Sequence, residues 1–356
     1  MRTISIFCNF IVFLLFTGLS IHPVAAQTVK TEKVYDITPL GSLHITSGRS
    51  NIEILTWDRN EVKVVSELTF KGIGNKEDVN KLFDAFKNMN SESSKNVLKL
   101  NQNLIVSVSS TGKLKKVETK LYNGDKISID ANNNNIKIVH TIWIPASLGN
   151  MNLILYNCEV NVADPNNATI DVSARFSTIR IENSAGKAKF DFYNSKLFGK
   201  NFQTFEISAR FSEISIADIS EPKINSSYKN KFSFATVNTF ICQQSKFDTF
   251  KFDEIVVDAS FPDAYNTNVD IQGTSTSFRG FSGNFRFGSV NLKLNPNIAY
   301  NLNYSGSHGH LDVSPDRFKT RFISDKSSTK TTVQGSTTGA KCDIVLVTYN
   351  TTFKIE

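Results

Sequence analysis

Thr169-Ile-Asp-Val-Ser-Ala-Arg-Phe-Ser-Thr-Ile-Arg-Ile181 and Thr204-Phe-Glu-Ile-Ser-Ala-Arg-Phe-Ser-Glu-Ile-Ser-Ile216 are near-copies of one another. Each ends in an apolar pair of the form h-x-h, and such pairs recur at short, nearly even intervals through the second half of the chain. The series is Ile142/Ile144, Val160/Val162, Ile179/Ile181, the degenerate Leu197, Ile214/Ile216, Phe232/Phe234, Phe250/Phe252, Val269/Ile271, Phe285/Phe287 and Leu302/Tyr304. A period of roughly 16–19 residues is too small for a pair of helices and matches one coil of a β-solenoid. The near-copies then stand two coils apart. Successive side chains of a strand alternate sides, which puts Ile170, Val172, Ala174 and Phe176 inward and Asp171, Ser173 and Arg175 outward. The same division returns at Phe205, Ile207, Ala209 and Phe211 against Glu206, Ser208 and Arg210. Phenylalanine is used 28 times, and stacked rings are a natural filling for a narrow interior.

Residues 1–26 read as a cleaved signal peptide. Arg2 supplies the positive start, Ile4 to Leu19 the apolar stretch, and Val24-Ala25-Ala26 the small residues before the cut. The apolar stretch is short for a membrane span, and no later run is long enough to be one. The expectation is an exported protein, in the periplasm or at the cell surface, with no transmembrane segment after cleavage. The whole chain carries 40 basic and 33 acidic residues, a net charge of +7. The excess is dispersed, so a nucleic-acid partner, which needs a basic stripe interleaved with stacking aromatics, is not expected. Cys158, Cys242 and Cys342 are widely spaced, odd in number and in phase with apolar neighbours, the pattern of buried thiols and not of a disulfide framework.

Residues 27–145 read as a β-rich N-terminal region. Short alternating strands run through Leu43-His-Ile45, Ile52-x-Ile54, Val62-x-Val64 and Leu68-x-Phe70. The period then changes: Val79, Leu82, Phe83, Phe86 and Met89 fall at helical spacing, which predicts one amphipathic helix over 76–90 covering a sheet edge or core. Asn132 to Asn135 reads as a polar turn. Pro145, unable to donate to a ladder, closes a strand and marks a soft boundary. Residues 146–356 are the repeat region, with looser C-terminal strands at Cys342 to Val347 and Thr352 to Ile355. The fold class is all-β: a single-chain parallel β-solenoid of about 17–18 residues per coil behind that N-terminal region.

Two sets of side chains are candidates for chemistry. Asp171, Asp191 and Glu206 fall on the outward face of successive coils, with Arg175 and Arg210 further along the same face. Like charges at strand spacing repel by roughly 1 kcal/mol in water, so this reads first as a ladder of screened mixed-charge pairs. A calcium site or a carboxylate pair acting on a polysaccharide are the alternatives. His308, His310 and Asp312, at i, i+2 and i+4, are candidate metal ligands if they lie on one strand, or a solvated turn if Gly306 and Gly309 bend the chain. No nucleophile elbow, phosphate-binding glycine loop, HExxH or CxxC is present, and no cofactor is expected.

Gly41-Ser-Leu-His-Ile-Thr-Ser-Gly48, Asn51-Ile-Glu-Ile-Leu-Thr-Trp-Asp58 and Glu61-Val-Lys-Val64 form one group of motifs. Ile142-Trp-Ile-Pro145 with Met151-Asn-Leu-Ile-Leu155, and the Phe-Ser-x-Ile-x-Ile coils at Phe176 to Ile181 and Phe211 to Ile216, form two more. Together these resemble the bacterial "putative adhesin" family, exported β-solenoid proteins related to the head GIN domain and common in Bacteroidetes. At its coil turns this chain has Arg-Phe-Ser and Lys-Phe where those proteins tend to have Tyr-Gly or Tyr-Ser. The resemblance implies fold and export and supplies no catalytic residues. The functional expectation is a non-enzymatic envelope or surface protein whose laddered face binds a glycan or an envelope protein. A polysaccharide-active β-helix enzyme, or a periplasmic sensing or scaffold component of an envelope-stress system, is the alternative.

Overall fold

The computed structural model describes residues 26–356 apart from 72–75, 88–89, 95, 103–104, 112–113, 121–125, 131–135, 166–167, 319–320 and 328. The signal-peptide assignment, up to its last residue, and the Asn132 to Asn135 turn lie outside the described residues. The chain is overwhelmingly β-strand, with the helix Lys76–Lys87 and one turn of 3₁₀-helix at Pro315–Arg317 among the described residues.

Between successive bends the chain forms one long strand that pairs in parallel with the next. Thr178–Tyr193, Lys196–Arg210 and Glu213–Tyr228 are such strands. Glu159, Thr178, Lys196, Glu213, Lys231 and Thr249 are successive register partners, one for each turn of the chain. Ile and Phe take most of the inward positions of these strands because β-branched and aromatic residues pack well on a pleated, half-buried surface. One inward position runs Ile52, Val160, Ile179, Leu197, Ile214, Phe232 and Phe250 in direct register. It continues through Val269, Val290 and Phe353, and none of these residues is more than 2% exposed. Phe232 and Phe250 stack face to face at 4.7 Å, and Phe240, Phe252, Phe261 and Phe281 extend the aromatic interior.

Three members of the expected apolar series lie outside this column, the first being Ile142/Ile144, which pairs with Ile54 and Thr56 while His140 stands opposite Ile52. Val290 and Leu292 occupy it where the spacing predicts Phe285 and Phe287. Phe285 instead pairs with Ala264, and Leu302 with Ile344, on another face. The physical reason is an excursion after Ile271 that lengthens this turn of the chain, so the partner of Val269 is Val290 and lies further along than the repeat predicts. Both faces are apolar inside, so spacing alone does not say which of them a pair belongs to.

Parallel pairing also runs across the soft boundary at Pro145, because Ser42–Gly48 pairs with Asn150–Tyr156 and Asn51–Trp57 with Glu159–Val162. On the far side of these strands the pairing turns antiparallel, Gln27–Asp36 with Glu61–Phe70 and the latter with Ile136–Pro145. The helix lays Val79, Leu82 and Phe86 on Leu68, Phe70 and Ile138. It covers the end of the strand core, as its amphipathic pattern predicts.

At the other end the strands are out of chain order. The last strand, Cys342–Ile355, inserts between Gly280–Leu292 and Tyr300–Ser307, parallel to both. Its Cys342, Ile344, Leu346 and Phe353 are buried, so this part of the C-terminal region is core and not a loose appendage. Cys158, Cys242 and Cys342 are all free and buried. Burial pushes the Cys242 thiol well above its ordinary value and that of Cys342 up to about 12, which keeps both protonated and inert.

Candidate functional site: an aromatic and cationic corner

Each turn of the chain bends at one residue in the left-handed region. Asn157, Phe176, Asn194, Phe211, Lys229, Phe247, Asn266, Phe287 and Asn350 have φ between 48° and 60°. The bend interrupts the two-residue alternation, and this corrects the faces expected from sequence. Phe176 and Phe211 do not continue the inward run of their strands; each is 43% exposed at the corner. The following residue points inward instead and is small or polar: Cys158, Ser177, Ser195, Ser212, Asn230, Asp248, Thr267 and Thr351 are all buried. At the Phe287 bend this position is Gly288, with φ 127° and a Cβ direction that runs into the Thr267 carbonyl oxygen, so no side chain fits.

These inward groups form a buried hydrogen-bonded ladder. Cys158 N donates to Ser177 Oγ (3.0 Å), Ser177 N to Ser195 Oγ (3.2 Å) and Ser195 N to Ser212 Oγ (3.1 Å). Ser212 N then donates to Asn230 Oδ1 (2.8 Å) and Asn230 N to Asp248 Oδ1 (2.7 Å). Asp248 Oδ2 accepts from Lys246 N at 2.9 Å, Ser245 Oγ at 2.7 Å and Ser227 Oγ. Burial pushes its carboxyl above the usual range, while the donors from Ser227, Ser245, Asn230 and Lys246 pull against that rise. Asp248→Ala would strip these donors of their acceptor, and a loss of about 1–3 kcal/mol is expected on chemical denaturation at neutral pH. A variant as stable as the parent would show that the ladder is dispensable.

Outside, the position before the bend forms a second ladder of strict alternation. Tyr156, Arg175, Tyr193, Arg210, Tyr228, Lys246, Tyr265, Arg286 and Tyr349 are consecutive register partners. The bend residue follows its neighbour: Phe after each Arg or Lys, Asn or Lys after each Tyr. Each Phe ring therefore lies between the Tyr rings of the turns above and below. From Tyr156 through Phe176, Tyr193, Phe211 and Tyr228 the centroids are 5.4–5.6 Å apart at interplanar angles of 74–81°. From Tyr228 through Phe247, Tyr265 and Phe287 to Tyr349 they are 5.4–5.7 Å apart at 64–76°. The His308 ring continues the row, 5.4 Å from Tyr349.

Magnitudes bear on why the row exists. A left-handed conformation costs a residue with a Cβ roughly 1–2 kcal/mol, and Asn bears it better than Phe. An edge-to-face ring pair returns about 0.5–1.5 kcal/mol. Each Phe makes two such pairs, about 1–3 kcal/mol in all, so the row offsets the cost of its own bends. Six of the nine rings are open to solvent: Tyr156, Phe176, Tyr193, Phe211, Phe247 and Tyr349 are 40–51% exposed, while Tyr228, Tyr265 and Phe287 are half-buried.

Cations line this row. Arg175, Arg210 and Lys246 are exposed and make no ion pair among the described residues, whereas Arg286 pairs with Asp263 at 2.7 Å. Lys229 Nζ lies 5.3 Å from the Tyr228 centroid and 5.8 Å from that of Phe211. Two grooves run beside the rings. One, of about 730 Å³, is bounded by Tyr156, Arg175, Phe176, Asp191, Tyr193 and Arg210. The other, of about 450 Å³, is bounded by Arg210, Phe211, Tyr228, Gln244 and Lys246.

The candidates read from sequence divide here. Arg175 and Arg210 belong to the corner. Asp171 and Glu206 stand in register with Lys189 between them and Lys223 beyond, a mixed-charge column on the exposed face. Asp191 is in register with Ser173 and Ser208, not with the other two acids. His308, His310 and Asp312 do not share one strand: His308 sits at a bend with φ 56°, and His310–Asp312 forms the next short strand. Among the described residues no group of three or more His, Cys, Asp or Glu is placed to hold a metal. The aromatic row is hidden from periodicity in apolar pairs, yet it has a signal: Tyr-Asn at 156, 193, 265 and 349 alternates with Arg-Phe or Lys-Phe at 175, 210, 246 and 286.

No helix among the described residues is long and apolar enough to cross a membrane. No protein-family model and no curated protein matches the sequence. Among solved structures, the chain is similar to a "putative cell adhesion protein" from Clostridium sporogenes, with 11% identity, 92% of this chain and 99% of that one covered, and a TM-score of 0.22. It is also similar to a "putative lipid binding protein" from Parabacteroides distasonis, with 10% identity, 93% and 97% covered, and a TM-score of 0.36.

Proposed function

We propose that the protein is an exported, non-enzymatic envelope or surface protein, a single-chain parallel β-solenoid whose aromatic corner is a binding face of the adhesin kind. One observation carries this reading: an unbroken row of nine rings, six of them exposed, runs beside exposed cations that make no ion pair among the described residues. The Asp171–Lys189–Glu206–Lys223 column supports a non-enzymatic role for the acidic residues, since each carboxylate has a lysine beside it and not a second acid.

The test is a variant carrying Phe176→Asn, Phe211→Asn, Phe247→Asn and Phe287→Asn. Asparagine tolerates the bend, so circular dichroism is expected to stay near that of the parent while the melting temperature falls with the lost ring pairs. Binding to glycan arrays and to envelope-protein extracts is expected to fall at least about tenfold, a loss of roughly 1.4 kcal/mol. Unchanged binding by the folded variant, or turnover of a polysaccharide by the parent, overturns the reading.

A further inference from the structure

We infer that the corner binds a linear polysaccharide bearing one carboxylate per disaccharide, laid along the direction in which the strands stack. The inference rests on the binding-face reading above and adds the chemistry and repeat of the ligand.

The first argument is the repeat. Tyrosine and cation alternate at successive register positions, so each recurs every second strand. With neighbouring strands about 4.8 Å apart, that recurrence is roughly 9.6 Å. This is close to the length of one disaccharide in an extended polysaccharide. A polymer with one charged and one neutral sugar per unit can then meet a ring on every strand and an Arg or Lys of this register on every second one, with Lys229 an added cation at the Tyr228 bend. A ligand with no linear period gains nothing from strict alternation.

The second argument is charge. Arg175, Arg210 and Lys246 are exposed and without an ion-pair partner among the described residues. Two of the three are arginine, whose planar fork matches a carboxylate bidentately. The groove between Arg210 and Lys246 contains no acid, and that between Arg175 and Arg210 contains only Asp191. The third argument is shape. The rings form a strip one ring wide, flanked in the grooves by Ser173, Ser208, Ser226 and Gln244. Such a strip suits the apolar face of a sugar with hydroxyls on either side. A lipid surface would instead favour a broad apolar face with flanking cations.

The test uses hyaluronan, which carries one carboxylate per disaccharide, and the same polymer with its carboxyls reduced to alcohols. Affinities of the full chain for both are measured by titration at low and high salt, with vesicles of anionic phospholipid as a parallel arm. The parent is expected to bind hyaluronan about tenfold or more tighter than the reduced polymer, with the difference shrinking as salt rises. Arg175→Gln, Arg210→Gln and Lys246→Gln together are expected to erase that difference while leaving the melt unchanged. If the triple variant does not fold, Arg210→Gln alone and the salt dependence of the parent decide the matter.

Equal affinity of the parent for the two polymers overturns the inference, and so does binding to vesicles without binding to hyaluronan. In both cases a surviving ligand that is lost in the Phe→Asn variant leaves the binding-face reading intact. Absence of any ligand for the corner sinks both.

Discussion

Phe250→Ala is expected to destabilise the protein by about 3–5 kcal/mol, the range for removing a fully buried ring from a packed core. Phe250 is completely buried and lies in ring contact with four others. Phe232 stacks on it at 4.7 Å with planes 2° apart, and Phe240, Phe252 and Phe261 surround it at 5.7, 6.3 and 5.3 Å. Phe232 and Phe240 belong to the preceding strand, so truncation weakens the contact between successive turns as well as one turn's own packing. Contacts between register-paired strands make up much of this part of the core. The loss should therefore concentrate as faster amide exchange between Lys231 and Ile271, alongside a lower midpoint in urea. A change under about 1 kcal/mol would mean that the neighbouring rings collapse into the space, which the tight face-to-face pair argues against. The corner makes the contrast: Phe247→Asn, close by in sequence, removes two ring pairs but relieves the bend, and is expected to cost no more than about 2 kcal/mol.

Acidification from about pH 6.5 to about pH 4 is expected to remove up to about 3 kcal/mol through His140 alone, at about 1.4 kcal/mol per unit of pKa difference. His140 is buried under Phe86 of the helix, and burial pushes its pKa down to about 4. Its Nε2 donates to Gln102 Oε1 at 2.8 Å, and its Nδ1 accepts the Ser66 hydroxyl at 2.7 Å. Burial without a nearby carboxylate among the described residues thus favours the neutral ring in the folded site. The unfolded chain takes up its proton near the ordinary value of about 6.5. The stabilisation is therefore complete above that value, declines as pH falls, and is gone below the folded value. Denaturant melts across this window should show the decline in the parent and its absence in His140→Gln. Asp248 acts in the opposite sense: with its carboxyl raised by burial, its share of stability is greatest at low pH and is lost as pH rises. Comparing parent and His140→Gln isolates the histidine from that opposing slope. An identical pH dependence in both would place the acid sensitivity elsewhere.

Much of the fold is legible in the residues themselves. The recurrence of apolar pairs matches the parallel register from Val160 to Val269, and the helical spacing of Val79, Leu82 and Phe86 matches the helix that covers the sheet. The three thiols are buried, as their phase with apolar neighbours implies. Other expectations fail for identifiable reasons. Alternation puts Phe176 and Phe211 inside only if the strand continues through them, and a single left-handed residue reverses the side of everything after it. Asp171, Asp191 and Glu206 share an exposed face, but register is decided to the residue by the length of each turn, and Asp191 falls two positions away from the other acids' column.

The β character of the chain, the period of the repeat and the polarity of each strand's two sides follow from the order of residues alone, because these depend only on neighbours along the chain. Which turns lie against which is settled in three dimensions. Cys342–Ile355 enters between two strands that come well before it in the chain, burying Cys342, Ile344, Leu346, Phe353 and Ile355, and that burial outweighs keeping chain order. Packing also assembled the corner. Tyr156 and Tyr349 belong to one row only because nine bends were stacked in register, which brings rings together at the spacing of strands and not at the spacing of the sequence.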